Sequence, residues 1–134
     1  MSSTHATDSE PLFSKPSNPI GILAIVMAVI TGVLHLLAVM NAIQFSQTLA
    51  ILFALNGLGF LGGIVVYLSR YWRRPLFLVA AVYGIVTILA LFQFQGWSVD
   101  AFYMQGSINP IAVVSKVAEA IFAACCLYLY AADA

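Results

Sequence analysis

Lys116 and Glu119 stand three residues apart in VVSKVAEAIF, residues 113–122, a stretch with no other charge. At i and i+3 on a helix the two side chains share a face and can pair. An ammonium beside a carboxylate can hold a proton or a small ion. Isolated polar residues also occur in three other apolar segments: Thr31 and His35, then Asn56, then Tyr83 and Thr87. Thr31 is one helical turn from His35 and Tyr83 one turn from Thr87, so each pair occupies one face. An imidazole near the carboxylate supplies a second proton-exchanging group. These seven residues form the candidate site for a small ligand, an ion or a proton.

The same residues argue against other chemistries. Nothing resembles a nucleophile with its base and orienting group, and no phosphate-cradling glycine loop is present. No residue is assigned a catalytic role, and the reading favours a non-enzyme. His35 has no metal-ligand spacing around it. The only other histidine, His5, lies near the N-terminus, so a haem would need a second chain or a methionine such as Met40. Copper or zinc through His35, Met27 and Met40 lacks a motif, so no metal site is assigned and the cofactor is left open. Cys125 and Cys126 are adjacent in an apolar run and read as small buried side chains, with palmitoylation as the alternative.

The elements that must position these groups follow from composition. Hydrophobic residues make up 63% of the 134 and charged residues 7%, against about 25% charged in soluble domains. Five basic and five acidic residues cancel, which leaves no footprint for a nucleic acid. Four apolar runs, residues 20–40, 48–69, 75–94 and 110–132, each supply the roughly 20 residues that a bilayer-crossing helix needs. No run has a polar face for water, which excludes a soluble bundle. The expected fold is all-α: one transmembrane domain, residues 20–134, with four helices in an up-down bundle. Residues 1–19 are polar, proline-containing and aperiodic, and read as a flexible tail.

The connections suggest an orientation. RYWRRP, residues 70–75, carries three arginines, while NAIQFSQ carries no charge and QGWSVDAFYMQGSIN only Asp100. Lys and Arg collect in cytoplasmic loops, so the arginine loop and both termini are placed in the cytoplasm. Residues 95–109 are expected to form a short interfacial helix, with Trp97 and Tyr103 as a lid. Asn109–Pro110 reads as a helix start, Asn as cap and Pro at the first position. At about 1.5 Å per residue, the polar groups of all four helices fall roughly 8–14 Å below the outer boundary. An unpaired charge near mid-bilayer costs on the order of 2.5–3.5 kcal/mol, so intramembrane ionisable groups are functional candidates by default. The competing reading is that Lys116 snorkels to the outer surface with Glu119 bonded to it. Gly59 and Gly63, spaced as GxxxG, read as a face for close helix packing.

GVLHLLAVM in the first segment, followed by LFALNGLGFLGGIVVYL in the second, resembles a group of small four-span proteins of unassigned function from haloarchaea and some bacteria. Those proteins combine a first-helix histidine with a second helix rich in Asn and Gly. The resemblance implies a four-helix membrane bundle and supplies no activity. In size the chain also resembles the four-span, quinone-linked DoxX proteins, but it has no arginine in its first span. Three functional readings therefore stand. The first is a multi-pass cell-membrane protein whose outer-half polar residues bind a ligand, ion or proton. The second is a non-catalytic accessory subunit, meeting a membrane partner or a second copy of itself. The third is a redox subunit linked to haem or quinone.

Overall fold

The computed structural model describes residues 11–104 and 106–132; residues 1–10 of the expected tail lie outside the described residues. It contains four long helices, α1 (Pro19–Ala42), α2 (Gln47–Leu68), α3 (Pro75–Gln95) and α4 (Pro110–Ala131). Each is long and apolar enough to cross a bilayer. A helix satisfies all its own backbone hydrogen bonds, the form a single chain segment needs in hydrocarbon. The ends are set locally. Asn18 accepts from the Ile20 amide at 2.9 Å and Ser46 from the Leu49 amide at 3.1 Å. Asn109 accepts from the Ile111 amide at 3.2 Å, and Pro19, Pro75 and Pro110 occupy first-turn positions.

Large aliphatic side chains such as Leu37, Leu55, Val79 and Val117 cover the outside. The inside is built from small residues. Gly21, Ala24, Ala28, Thr31, Gly32 and His35 form the buried stripe of α1, and α4 buries Ala112, Ser115, Ala118, Ala123, Cys125 and Cys126. Small side chains let helices approach where apolar burial from lipid gives no driving force.

The closest approach is between α1 and α2. A Cβ on Gly57 would lie 2.7 Å from the Gly32 carbonyl oxygen, and one on Gly32 would lie 3.2 Å from that of Gly57. The glycine pair expected at this role serves differently. Gly59 makes room for the Tyr83 hydroxyl, 2.1 Å from where its Cβ would be, while Gly63 has nothing within 4 Å. Helix α1 packs on α2 and α4, and α4 packs on α3, whereas the α2 and α3 backbones make no comparable contact. The order around the bundle is therefore α2–α1–α4–α3. Aromatic rings bridge the remaining gap, with Phe60 and Tyr83 centroids 4.9 Å apart and Tyr67 and Phe77 5.6 Å apart.

At one end, Phe13 pairs with Ser69 in an antiparallel bridge. Arg70 N donates to Leu12 O and Ser14 N to Leu68 O, both at 2.8 Å. This part of the expected tail is thus joined to the α2–α3 connection. At the other end, the expected interfacial helix is a single 3-10 turn, Val99–Phe102. A two-residue antiparallel pair, β1 (Tyr103–Met104) and β2 (Ser107–Ile108), follows it. The positive φ of Gly96 and Gly106, 107° and 85°, breaks the helical path on both sides of this segment. These ends are called the tail end and the hairpin end below.

Candidate functional site

Glu119 is 0% exposed and sits in the hairpin half of the bundle, on the α4 face turned toward α1 and α3. Its Oε1 accepts a hydrogen bond from Lys116 Nζ at 2.7 Å. Its Oε2 accepts from the Thr31 hydroxyl across the α1–α4 contact. His35 Nδ1 stands 3.8 Å from the same Oε2. Lys116 is only 8% exposed, so its side chain stays inside the bundle rather than snorkelling, and Nζ also lies 3.5 Å from the Thr87 carbonyl of α3.

The imidazole is oriented by its own helix. Nδ1 is 2.8 Å from the Thr31 carbonyl and 3.2 Å from Thr31 Oγ1. A carbonyl only accepts, so Nδ1 carries the hydrogen and donates it. No hydrogen-bond partner among the described residues reaches Nε2. The ring packs against Phe53 and Phe60, with centroids 5.6 and 6.4 Å away. Thr31, 0% exposed, therefore lies between imidazole and carboxylate: its oxygen is within reach of the His35 N–H, and its own hydrogen goes to Glu119. Such a hydroxyl can pass a proton from one group to the other without moving.

The remaining candidates join through α3. Thr87 Oγ1 lies 3.1 Å from Asn56 Oδ1 and 2.9 Å from the Tyr83 carbonyl, so its one hydrogen is shared between them. Tyr83 donates its hydroxyl hydrogen to the Asn56 carbonyl at 2.8 Å. The seven residues named from the sequence thus fall in two linked groups. Thr31, His35, Lys116 and Glu119 form the charged one, and Asn56, Tyr83 and Thr87 the neutral one. The Lys116 to Thr87 carbonyl contact connects them. Low local dielectric strengthens each of these bonds and makes the loss of any partner costly.

Trp97 and Tyr103 lie elsewhere. Trp97 stacks on Phe92 at 5.7 Å and remains 65% exposed, and Tyr103 is 45% exposed in β1. Met40 is 73% exposed, turned away from the buried His35. Among the described residues no group of three or more His, Cys, Asp and Glu comes together. Cys125 and Cys126 are free and buried. The residue that the sequence reading passed over is Phe60, 3% exposed, whose ring touches those of His35, Tyr83 and Phe122. It lies one turn after Asn56, and that spacing is the signal that would have placed it on the site-facing side of α2.

A family model described as "Family of unknown function (DUF7475)" matches residues 6–130. The chain belongs to that family. The match takes in the first three helices of this DUF7475 chain, the fourth as far as Tyr130, and every residue of both hydrogen-bonded groups. Neither a curated protein nor a solved structure shows significant similarity to it.

Proposed function

We propose that this DUF7475 protein is a multi-pass protein of the cell membrane that binds an exchangeable proton at Glu119, inside the bilayer. The unpartnered Nε2 of His35 is the point of entry, and Thr31 carries the proton between the two. In this reading residues 20–134 act as one transmembrane domain with both termini in the cytoplasm. The site then lies in the outer half of the membrane. The protein is of the haloarchaeal and bacterial four-span type, with its first-helix histidine and its Asn- and Gly-rich second helix.

The carrying observation is the position of the Thr31 hydroxyl, bonded to Glu119 Oε2 and within reach of His35 Nδ1. A wholly buried carboxylate, joined to an imidazole through one hydroxyl, needs no cavity to change its proton occupancy. A ligand or hydrated ion would need one. Intramembrane ionisable groups are proton-relay candidates for the same reason. Counting protons taken up by the protein in lipid nanodiscs as pH is lowered tests the proposal. Glu119→Gln is expected to remove one bound proton per chain, and equal uptake by both proteins would refute it.

A further inference from the structure

Between α2 and α3, where the backbones stand apart, lies a cavity of about 250 Å³. It is separate from the charged group and sits toward the tail end. Gly59 and Gly63 of α2, Ala80 and Tyr83 of α3, and Tyr67 and Trp72 near its base are among its lining. Two further lining residues, Val66 and Val79, are 44% and 62% exposed at the bundle surface, so the cavity opens sideways between the two helices. That opening faces hydrocarbon. An apolar cavity of about 150 Å³ is enough to take one benzene ring. This one is larger and is open to the lipid phase.

Two features at its base say what kind of molecule fits. Trp72 Nε1 is the one buried side-chain nitrogen or oxygen without a hydrogen-bond partner among the described residues. It is a donor that lacks an acceptor, and its ring is packed edge to face between Tyr67 and Phe77, with centroids 5.0 and 5.2 Å away. Trp72 is also flanked by Arg70, Arg73 and Arg74 in the connection between the helices. Arg73 is exposed and donates to the Arg70 and Trp72 carbonyls at 3.0 Å, which holds its guanidinium beside the tryptophan backbone. An apolar slot open to the lipid phase, with the side chain of Trp72 in its lining and arginines on either side of that residue in the chain, matches one ligand class. That class is an amphiphile with a hydrocarbon tail and an oxygen-bearing anionic headgroup.

We propose that the α2–α3 crevice is a binding site for one anionic membrane lipid, its tail entering sideways past Gly63 and its phosphate held at the arginine connection beside Trp72. Gly63 is then a glycine because any larger side chain would occupy the tail's space, not because a helix approaches it. Arginine suits the headgroup because its planar fork matches phosphate oxygens.

Native mass spectrometry of the full chain in mild detergent tests this, with added phosphatidylglycerol and phosphatidylcholine of identical tails. The wild-type protein is expected to bind one phosphatidylglycerol saturably, in preference to phosphatidylcholine. Gly63→Leu is expected to abolish the one-to-one adduct of both lipids, since Gly63 lines the slot and a Cβ there meets no protein atom within 4 Å. Arg73→Gln is expected to weaken phosphatidylglycerol by about fivefold, the equivalent of the ~1 kcal/mol typical of one basic residue near an anionic surface, and to leave phosphatidylcholine unchanged. Should Gly63→Leu fail to fold, Ala80→Leu narrows the slot from the α3 side with the same expected loss. Unsaturable adducts of both lipids, or equal one-to-one binding by the wild type and the slot-filling variant, would overturn the proposal.

Discussion

Glu119 Oε1 and Lys116 Nζ are 2.7 Å apart, one helical turn from each other, and both side chains are buried. Each keeps the other from being a lone charge in a low-dielectric interior. Removing one member of a buried pair costs about 3–5 kcal/mol, whereas replacing both by apolar groups of similar size is often neutral. Lys116→Met and Glu119→Leu are each expected to lower stability by about that amount. The double variant is expected to recover most of the loss. Unfolding of the purified protein in mixed micelles reads all three, and additive losses in the double variant would mean that the pair is not coupled.

Thr31 is the narrowest point of the network. Thr31→Val keeps the shape and removes the hydroxyl, leaving one Glu119 oxygen short of a donor. The expected cost is about 1–3 kcal/mol, the usual penalty for a buried polar group left without its partner. Thr31→Ser restores the hydroxyl and is expected to recover most of it. His35 keeps its bond to the Thr31 carbonyl in both variants, so its nitrogen NMR signals are expected to report an unchanged tautomer.

Glycine substitutions separate the α1–α2 contact from the α2–α3 crevice. Gly57→Ala would push a methyl to 2.7 Å from the Gly32 carbonyl oxygen, and a loss of about 1–3 kcal/mol is expected from overpacking. Gly63→Ala meets nothing within 4 Å, and a gain of about 0.5–1 kcal/mol is expected from helix propensity. Thermal unfolding in one detergent compares the two. The opposite ranking would mean that the GxxxG pair carries the close packing after all.

The orientation is tested by labelling. Ser107→Cys in β2 and Tyr71→Cys in the arginine connection sit at opposite ends of the bundle, both exposed, while the native Cys125 and Cys126 are buried. A membrane-impermeant maleimide is expected to label position 107 in intact cells and position 71 only after lysis. The reverse pattern would place the arginine loop outside and move the site to the inner half.

The helix ends were legible in the sequence because length, apolarity and the Asn109–Pro110 and Pro75 starts are local signals. The four helices run within about two residues of the expected limits. His35, Lys116 and Glu119 were legible for a related reason: ionisable groups are so costly in hydrocarbon that each one stands out from its segment, and Thr31 followed from its one-turn spacing to His35. The α2–α3 crevice was not. Both helices are apolar all round, and such a helix carries no stripe to say which neighbour it faces. Gly32 and Gly57 were missed because their meeting depends on how two distant segments cross, while Gly59 and Gly63 advertised themselves by spacing within one. The bridge between Phe13 and Ser69 likewise joins residues far apart in sequence through backbone atoms, which leave no side-chain signature.

The central claim is that the Glu119 carboxyl gains and loses a proton while buried in the membrane. Infrared difference spectroscopy of the protein in lipid, recorded as pH is stepped, observes that carboxyl directly. The expected result is a protonated-carboxyl band from a dry environment that grows and fades with pH, disappears in Glu119→Gln, and responds more slowly in Thr31→Val. A pH response identical in the wild type and Glu119→Gln would contradict it, leaving the Lys116–Glu119 pair as a fixed structural clamp.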